Sequence, residues 1–151
     1  MSLERYCEIV REMCELVGLP DGDAVLSSGV IEVEDFEVGL AHYESDPDAM
    51  YINFHFGIAS AGRTLSVYRL MLESNLTVYA QDQAQLGIDP EDGFAVLSVR
   101  ANLNDNIDGN WLASTFSHYA EHGRYWRDNI LNAPDDAYDG LCAGEYHWIK
   151  V

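Results

Sequence analysis

Between positions 50 and 58 the chain places Met50, Ile52, Phe54, Phe56 and Ile58 on one side of any extended backbone and Tyr51, Asn53, His55 and Gly57 on the other. A period of two is the mark of a strand. Burying a large apolar side chain is worth about 1.5–3 kcal/mol, so five of them on one face demand neighbouring strands and a covering layer of helix. One neighbour comes just before, where Phe36, Val38, Leu40 and His42 alternate with Glu37, Gly39, Ala41 and Tyr43. Ser45-Asp46-Pro47-Asp48 reads as the turn between the two. Upstream, residues 25–33 read as a further strand interrupted at Ser27-Ser28-Gly29, with Asp21-Gly22-Asp23 as a turn and Gly29 as a candidate bulge. Three strands with short turns make an antiparallel meander.

Helical spacing flanks the meander on both sides. Leu3, Tyr6, Cys7, Val10, Met13, Cys14 and Val17 predict an amphipathic first helix that Gly18 and Pro20 stop. A second helix is predicted over residues 64–76. On its wheel Val67, Met71, Tyr68, Leu72, Leu65 and Leu76 span roughly 180°, with Leu70 beyond even that arc. One packing partner needs a stripe little wider than about 100°, so a second partner is expected, and another copy of the chain is a candidate. Residues 81–85 are polar and fit either a loop or the start of a strand. Leu86, Ile88, Phe94, Val96, Leu97 and Val99 then flank Asp89-Pro90-Glu91-Asp92-Gly93, where Pro90 presets a turn and Gly93 closes a hairpin. From Asp108, a predicted cap, Leu112, Phe116, Tyr119, Gly123, Trp126 and Ile130 recur at helical spacing, with Gly123 permitting a close approach.

The middle of the chain carries a resemblance. Arg63-Thr64-Leu65, a helix ending Leu72-Glu73-Ser74-Asn75-Leu76, then Leu86-Gly87-Ile88-Asp89-Pro90 and Gly93-Phe94-Ala95-Val96-Leu97-Ser98 resemble the Tir-chaperone family, the small dimeric chaperones of type III secretion. The similarity runs from the first helix to about residue 131. It implies an α+β fold in the order helix, three-strand antiparallel meander, helix, two-strand hairpin, helix, with a twisted sheet packed against helices. It also implies a homodimer that holds the amino-terminal segment of a secreted effector in an export-competent form and brings it to the export apparatus, without nucleotide hydrolysis. The dimer interface is expected on the second helix at Val67, Leu70 and Met71. Effector binding is expected at Ile9, Leu16, Val30, Ile31, Phe36 and Val38, because the edge of the meander and the adjoining helix have no evident cover.

Composition bounds the alternatives. The length of 151 residues suits one domain, expected over residues 1–131, followed by an acidic tail over residues 132–151 that the pattern assigns to no element. No stretch reaches the apolar length of a membrane span and no leader pattern opens the chain, so a cytoplasmic location is expected. The 26 acidic residues against 8 basic ones leave a net charge of −18, which repels a phosphate backbone and an anionic membrane alike. Solubility explains such a charge first and a basic partner second. Cys7, Cys14 and Cys142 are odd in number, and Cys7 and Cys14 lie about 10 Å apart along a helix, which suits free thiols.

Catalytic patterns are weak. His118-Tyr119-Ala120-Glu121-His122 matches the H-x-x-E-H of inverted zincins, yet no third ligand is identifiable, and a solvated flank of the last helix is the preferred reading. His42 and His55 sit within strand patterns, as structural residues do. No nucleophile elbow or phosphate loop is present, so neither an enzyme nor a cofactor is expected. The alternative is a regulatory or small-ligand domain of the same fold, unrelated to secretion. A bound metabolite or metal in the purified protein would favour that alternative, and co-purification with an effector fragment the chaperone.

Overall fold

A computed structural model of the chain describes residues 2–59, 62–104 and 106–131. Four α-helices and five strands follow in the order α1 (Ser2–Val17), α2 (Gly22–Ser28), β1 (Val30–Val33), β2 (Phe36–Tyr43), β3 (Asp46–Gly57), α3 (Thr64–Asp82), β4 (Ala84–Ile88), β5 (Ala95–Asn102) and α4 (Gly109–Trp126). A π-helical turn, Arg127–Leu131, extends α4. The tail over residues 132–151, with Cys142, lies outside the described residues.

All the strand pairings are antiparallel, and the sheet order is β1-β2-β3-β5-β4. The second strand of the hairpin is therefore the inner one. One face of the sheet carries Phe36, Val38 and Leu40 from β2, Met50, Ile52, Phe54 and Phe56 from β3, and Leu97 and Val99 from β5, all buried. Against it lie α1 and α4, with Phe54 meeting Phe116 and Tyr119 of α4 at ring-centroid distances of 6.2 and 5.4 Å. Each position singled out on the last helix, from Leu112 to Ile130, is buried. Asp108 caps α4 as expected, its side chain accepting from the Trp111 N–H at 2.9 Å. A Cβ on Gly123 would come within 2.8 Å of the Phe56 ring, so that glycine does permit a close approach.

The turn expected at Ser45-Asp46-Pro47-Asp48 is shorter, since β3 begins at Asp46 and Tyr43 pairs with Asp46, and two further expectations are corrected. Residues 25–33 are not one interrupted strand, because the first part is α2 and only Val30–Val33 is β1. Local capping overrides the strand-forming tendency of Val25 and Leu26. The Asp21 side chain accepts from the Ala24 N–H at 3.1 Å. Gly29, at φ 68°, closes the helix through its N–H to the Val25 carbonyl at 2.8 Å. Gly29 is thus a helix stop, not a bulge. The second correction is that α3 runs to Asp82 rather than to residue 76. Neither Gly nor Pro interrupts residues 77–82. Gln83, at φ 52°, makes the reversal into β4. The polar stretch left open in the sequence therefore divides between the end of a helix and the start of a strand.

A cluster that no spacing announced ties β3 to β5. Tyr51 and Arg100 are cross-strand neighbours, and both reach Asp46 at the start of β3. Arg100 donates through Nε to Asp46 Oδ2 at 2.7 Å and through Nη2 to Oδ1 at 2.9 Å, while the Tyr51 hydroxyl donates at 2.7 Å. These bonds hold the Asp46 carboxyl below its ordinary value, the Arg100 bond being the largest cause. A depressed carboxylate stabilises the fold above its unfolded pKa of about 4, and that contribution disappears as pH falls through the lower folded value. The melting temperature of wild type should therefore exceed that of Asp46→Asn near neutrality, and the gap should close as pH falls below about 4. A gap that persists unchanged at the acid end would show that the ionised carboxylate contributes nothing.

Candidate functional site

The first candidate surface lies where α1 ends and the sheet begins. Leu16 and Val17 at the last turn of α1, Leu19 in the link to α2, and Val30 on β1 are all exposed, Leu16 at 54% and Val30 at 42%. Glu15, Asp21, Asp23, Glu32, Glu34 and Asp35 are exposed close by in the sequence. Exposed apolar side chains with carboxylates near them in the sequence suit a polypeptide carrying both apolar and basic side chains.

β1 also ends the sheet. It joins β2 through the two-residue turn Glu34-Asp35, both at positive φ, so Val33 and Phe36 exchange bonds across the turn. Leu40 N–H donates to the Gly29 carbonyl at 2.7 Å, which puts residues 29, 31 and 33 in one bonding register with β2. By alternation the backbone groups of Val30 and Glu32 point outward. The turn itself is held to α4 by Arg124 and Glu34 at 3.3 Å. It is held to the π turn by the Arg127 guanidinium, 4.9 Å above the Phe36 ring.

The expected effector-binding residues separate. Leu16 and Val30 are on the surface, whereas Ile9, Ile31, Phe36 and Val38 lie within the protomer's own core, Ile9 and Val38 with no exposure at all. A side chain without accessible surface does not reach a partner unless the core opens. The helical wheel of α1 already placed Ile9 beside the main stripe. What it lacked was the position of α4, which packs on α1 and widens the buried face.

A second surface runs along α3, where the expected dimer residues Val67, Leu70 and Met71 are buried inside the protomer. Leu65, Tyr68, Leu72 and Leu76 stay exposed, the three leucines at 84, 71 and 82%. The wide apolar arc is real. Its inner part, joined by Leu70, is used up within the chain, and its outer part is the half left open.

Metal-ligating and nucleophilic groups are scattered. His118 and His122 meet edge to face on one flank of α4, with ring centroids 4.6 Å apart. Among the described residues, one trio of potential ligands comes together, His55 with Asp89 and Asp92, their donor atoms within 4.8 Å of one another. Both carboxylates already accept turn amides, Asp89 from Glu91 N–H and Asp92 from Phe94 N–H, each at 2.9 Å. Those bonds are what a hairpin turn requires. Burial pushes the Cys14 thiol up, so it remains protonated and poorly nucleophilic at neutral pH. Burial likewise drives Tyr6, stacked on His42 at 5.6 Å, up to about 12. A hollow of about 580 Å³ between β5 and α4 is bordered by Asn102, Asn104, Ser114 and Thr115 beside Trp111. His118 also borders the hollow, and the Thr115 hydroxyl donates instead to the Trp111 carbonyl at 2.8 Å.

Comparison with known proteins bears on the family and the fold. The model of the Tir chaperone protein (CesT) family matches residues 17–127. No curated protein matches the sequence. Among solved structures, the fold is similar to a chain of the ExsC–ExsE complex, with a TM-score of 0.67 at 13% identity, covering 87% of this chain and 97% of that one. It is similar to a chain of the HopA1–SchA chaperone–effector complex, with a TM-score of 0.63 at 12% identity, covering 82% and 93%. It is also similar to a chain of the ExoT–SpcS complex from Pseudomonas aeruginosa, with a TM-score of 0.51 at 21% identity, covering 78% and 95%.

Proposed function

The chain belongs to the Tir chaperone protein (CesT) family, and from that membership we propose that it binds the amino-terminal segment of a type III secreted effector and keeps it export-competent. The single observation that carries the reading to a place on the molecule is the exposure of the apolar side chains Leu16, Val17, Leu19 and Val30 together with the outward backbone groups of β1. An extended segment adds to β1 as a strand while its apolar side chains cover these exposed ones, and basic side chains of the same segment meet the carboxylates of this part of the chain. The segment's own folding is deferred by the surface it wraps, so nucleotide hydrolysis has no part in the cycle. Among the described residues the buried Cys14 thiol is protonated, and His55, His118 and His122 lie on strand and helix flanks. We place the work in the cytoplasm. Among the described residues no helix is long and apolar enough to cross a membrane.

The working unit is a homodimer formed through the outer face of α3. The chaperone domain spans residues 1–131, and the acidic tail over residues 132–151 adds to the charge that favours a basic client.

Leu16→Asp and Val30→Asp, both at exposed positions, should keep native circular dichroism and sedimentation. They should nevertheless weaken capture of the amino-terminal segment of an effector encoded beside this protein by about tenfold or more, the loss of one buried apolar anchor. Val38→Asp should instead unfold the protein, since it places a charge in the core. Full capture by folded Leu16→Asp and Val30→Asp variants would move the client to another surface.

A further inference from the structure

The sheet has two ends, and they are not alike. β4 is the outer strand at one end, pairing with β5 through Ala84↔Val99, Leu86↔Leu97 and Ile88↔Ala95. Gln83 O accepts from Arg100 N–H and Asp89 N–H donates to Phe94 O, so the odd-numbered residues face β5, and Ala84, Leu86 and Ile88 face outward. At the middle of these three, the Asn75 side chain of α3 takes both backbone groups. Leu86 N–H donates to Asn75 Oδ1 at 2.7 Å, and Asn75 Nδ2 donates to the Leu86 carbonyl at 3.1 Å. The partners leave no ambiguity about which amide atom is which, since an N–H needs an acceptor and a carbonyl a donor.

A primary amide that offers one acceptor and one donor to a single residue reproduces what the facing residue of another strand would offer. Asn75 therefore occupies the place of the next strand. α3 can hold it there because the same helix buries Val67, Leu70, Met71 and Ser74, and Asn75 follows on the adjoining flank, half-buried.

At the other end, the outward groups of Val30 are met, among the described residues, by the Ser28 hydroxyl alone. Its oxygen lies 3.3 Å from Val30 N and 3.2 Å from Val30 O, and the same hydroxyl also points at the Val25 carbonyl at 3.4 Å. One hydroxyl hydrogen serves one carbonyl at a time, and these distances exceed the usual O–H···O length of about 2.8 Å. Glu32, next along, makes no bond of this sort among the described residues.

We propose that Asn75 is an edge lock: its side-chain amide closes β4 to an added strand and so confines strand addition on this sheet to β1. An unguarded edge pairs with any extended chain, including another copy of itself, and proteins commonly protect such edges with a covering element. In a protein whose client is extended, the choice of edge also decides which side-chain surface the client then meets. That last consequence rests on the chaperone reading. The lock itself does not.

The test needs no client. In Asn75→Ala, hydrogen exchange at the Leu86 amide should speed up by about fivefold or more, the effect of one lost hydrogen bond. Sedimentation should then show assemblies larger than those of wild type that grow with concentration. Adding Ile88→Pro, which removes an outward N–H without touching the bonds to β5, should restore wild-type sedimentation, whereas adding Glu32→Pro should not. Asn75→Asp, which keeps the acceptor for Leu86 N–H, should leave that amide protected. Unchanged exchange in folded Asn75→Ala, assemblies suppressed by Glu32→Pro instead of Ile88→Pro, or unfolding of both Asn75 variants would each overturn the lock. Because purified protein alone is read, a failure to capture effector would count against the chaperone reading and leave this result standing.

Discussion

Replacing Gly109 with alanine is expected to destabilise the protein by about 3 kcal/mol or more, at the upper end of what overpacking a core site costs. Gly109 opens α4 at the point where it crosses α1. A Cβ there would sit 2.5 Å from the Glu12 Cβ and 2.7 Å from both the Glu12 carbonyl carbon and the Met13 nitrogen. Two of those three atoms are backbone, which cannot turn aside as a rotamer can, so the helices would have to separate. Separation also lengthens the bond from Gly109 N–H to the Glu12 carboxylate, now 3.0 Å. With total stabilities of about 5–15 kcal/mol for a domain, a loss of this size shows plainly in a urea melt. Gly123→Ala should cost less, because its clash is with the Phe56 and Phe36 rings, side chains that have some room to tilt. A Gly109→Ala variant within about 1 kcal/mol of wild type would mean that the crossing has slack the geometry does not suggest.

Charging the outer face of α3 should abolish the proposed dimer while leaving the protomer folded. Leu72 is 71% exposed and flanked on the same face by Leu65 and Leu76. Burying each such leucine across a two-fold seam is worth about 1.5–3 kcal/mol per copy. Leu72→Glu removes that contribution twice over and sets two like charges in the seam, so the dissociation constant should rise by about a hundredfold or more. Sedimentation at micromolar concentration should then report monomer with native circular dichroism. Met71→Glu makes the contrast. Met71 is 4% exposed within the protomer, so its replacement should unfold the chain before any question of association arises. A soluble Leu72→Glu dimer would place the seam elsewhere than on α3.

Much of this architecture is legible without coordinates. The alternation of Met50 to Phe56 and of Phe36 to Leu40 predicts strands with those side chains inward, and they are inward. The spacing from Leu112 to Ile130 and the cap at Asp108 predict the last helix, and the motif around Leu86-Gly87-Ile88-Asp89-Pro90 points to the family that the comparison shows. These are short-range properties, since the side-chain period of a strand or helix is set by its own backbone. Where the reading of residues 25–33 failed, the deciding terms were also local but smaller. One Asp cap and one left-handed Gly outweighed two apolar residues that suit either state.

Local patterning therefore establishes which residues carry periodicity, and with it the fold class and the family. Which half of each apolar arc is spent inside the protomer depends on long-range packing. Val67, Leu70 and Met71 face inward and Leu65, Leu72 and Leu76 outward, because the position of α3 against β4 depends on β5 lying between β3 and β4, an ordering of strands that no local pattern encodes. The same holds for Ile9, buried once α4 lies on α1, for the Asp46–Tyr51–Arg100 cluster, and for Asn75, eleven residues from the strand position it closes. Periodicity reports that a face is apolar; what covers it is set by partners that come together only when the chain is folded.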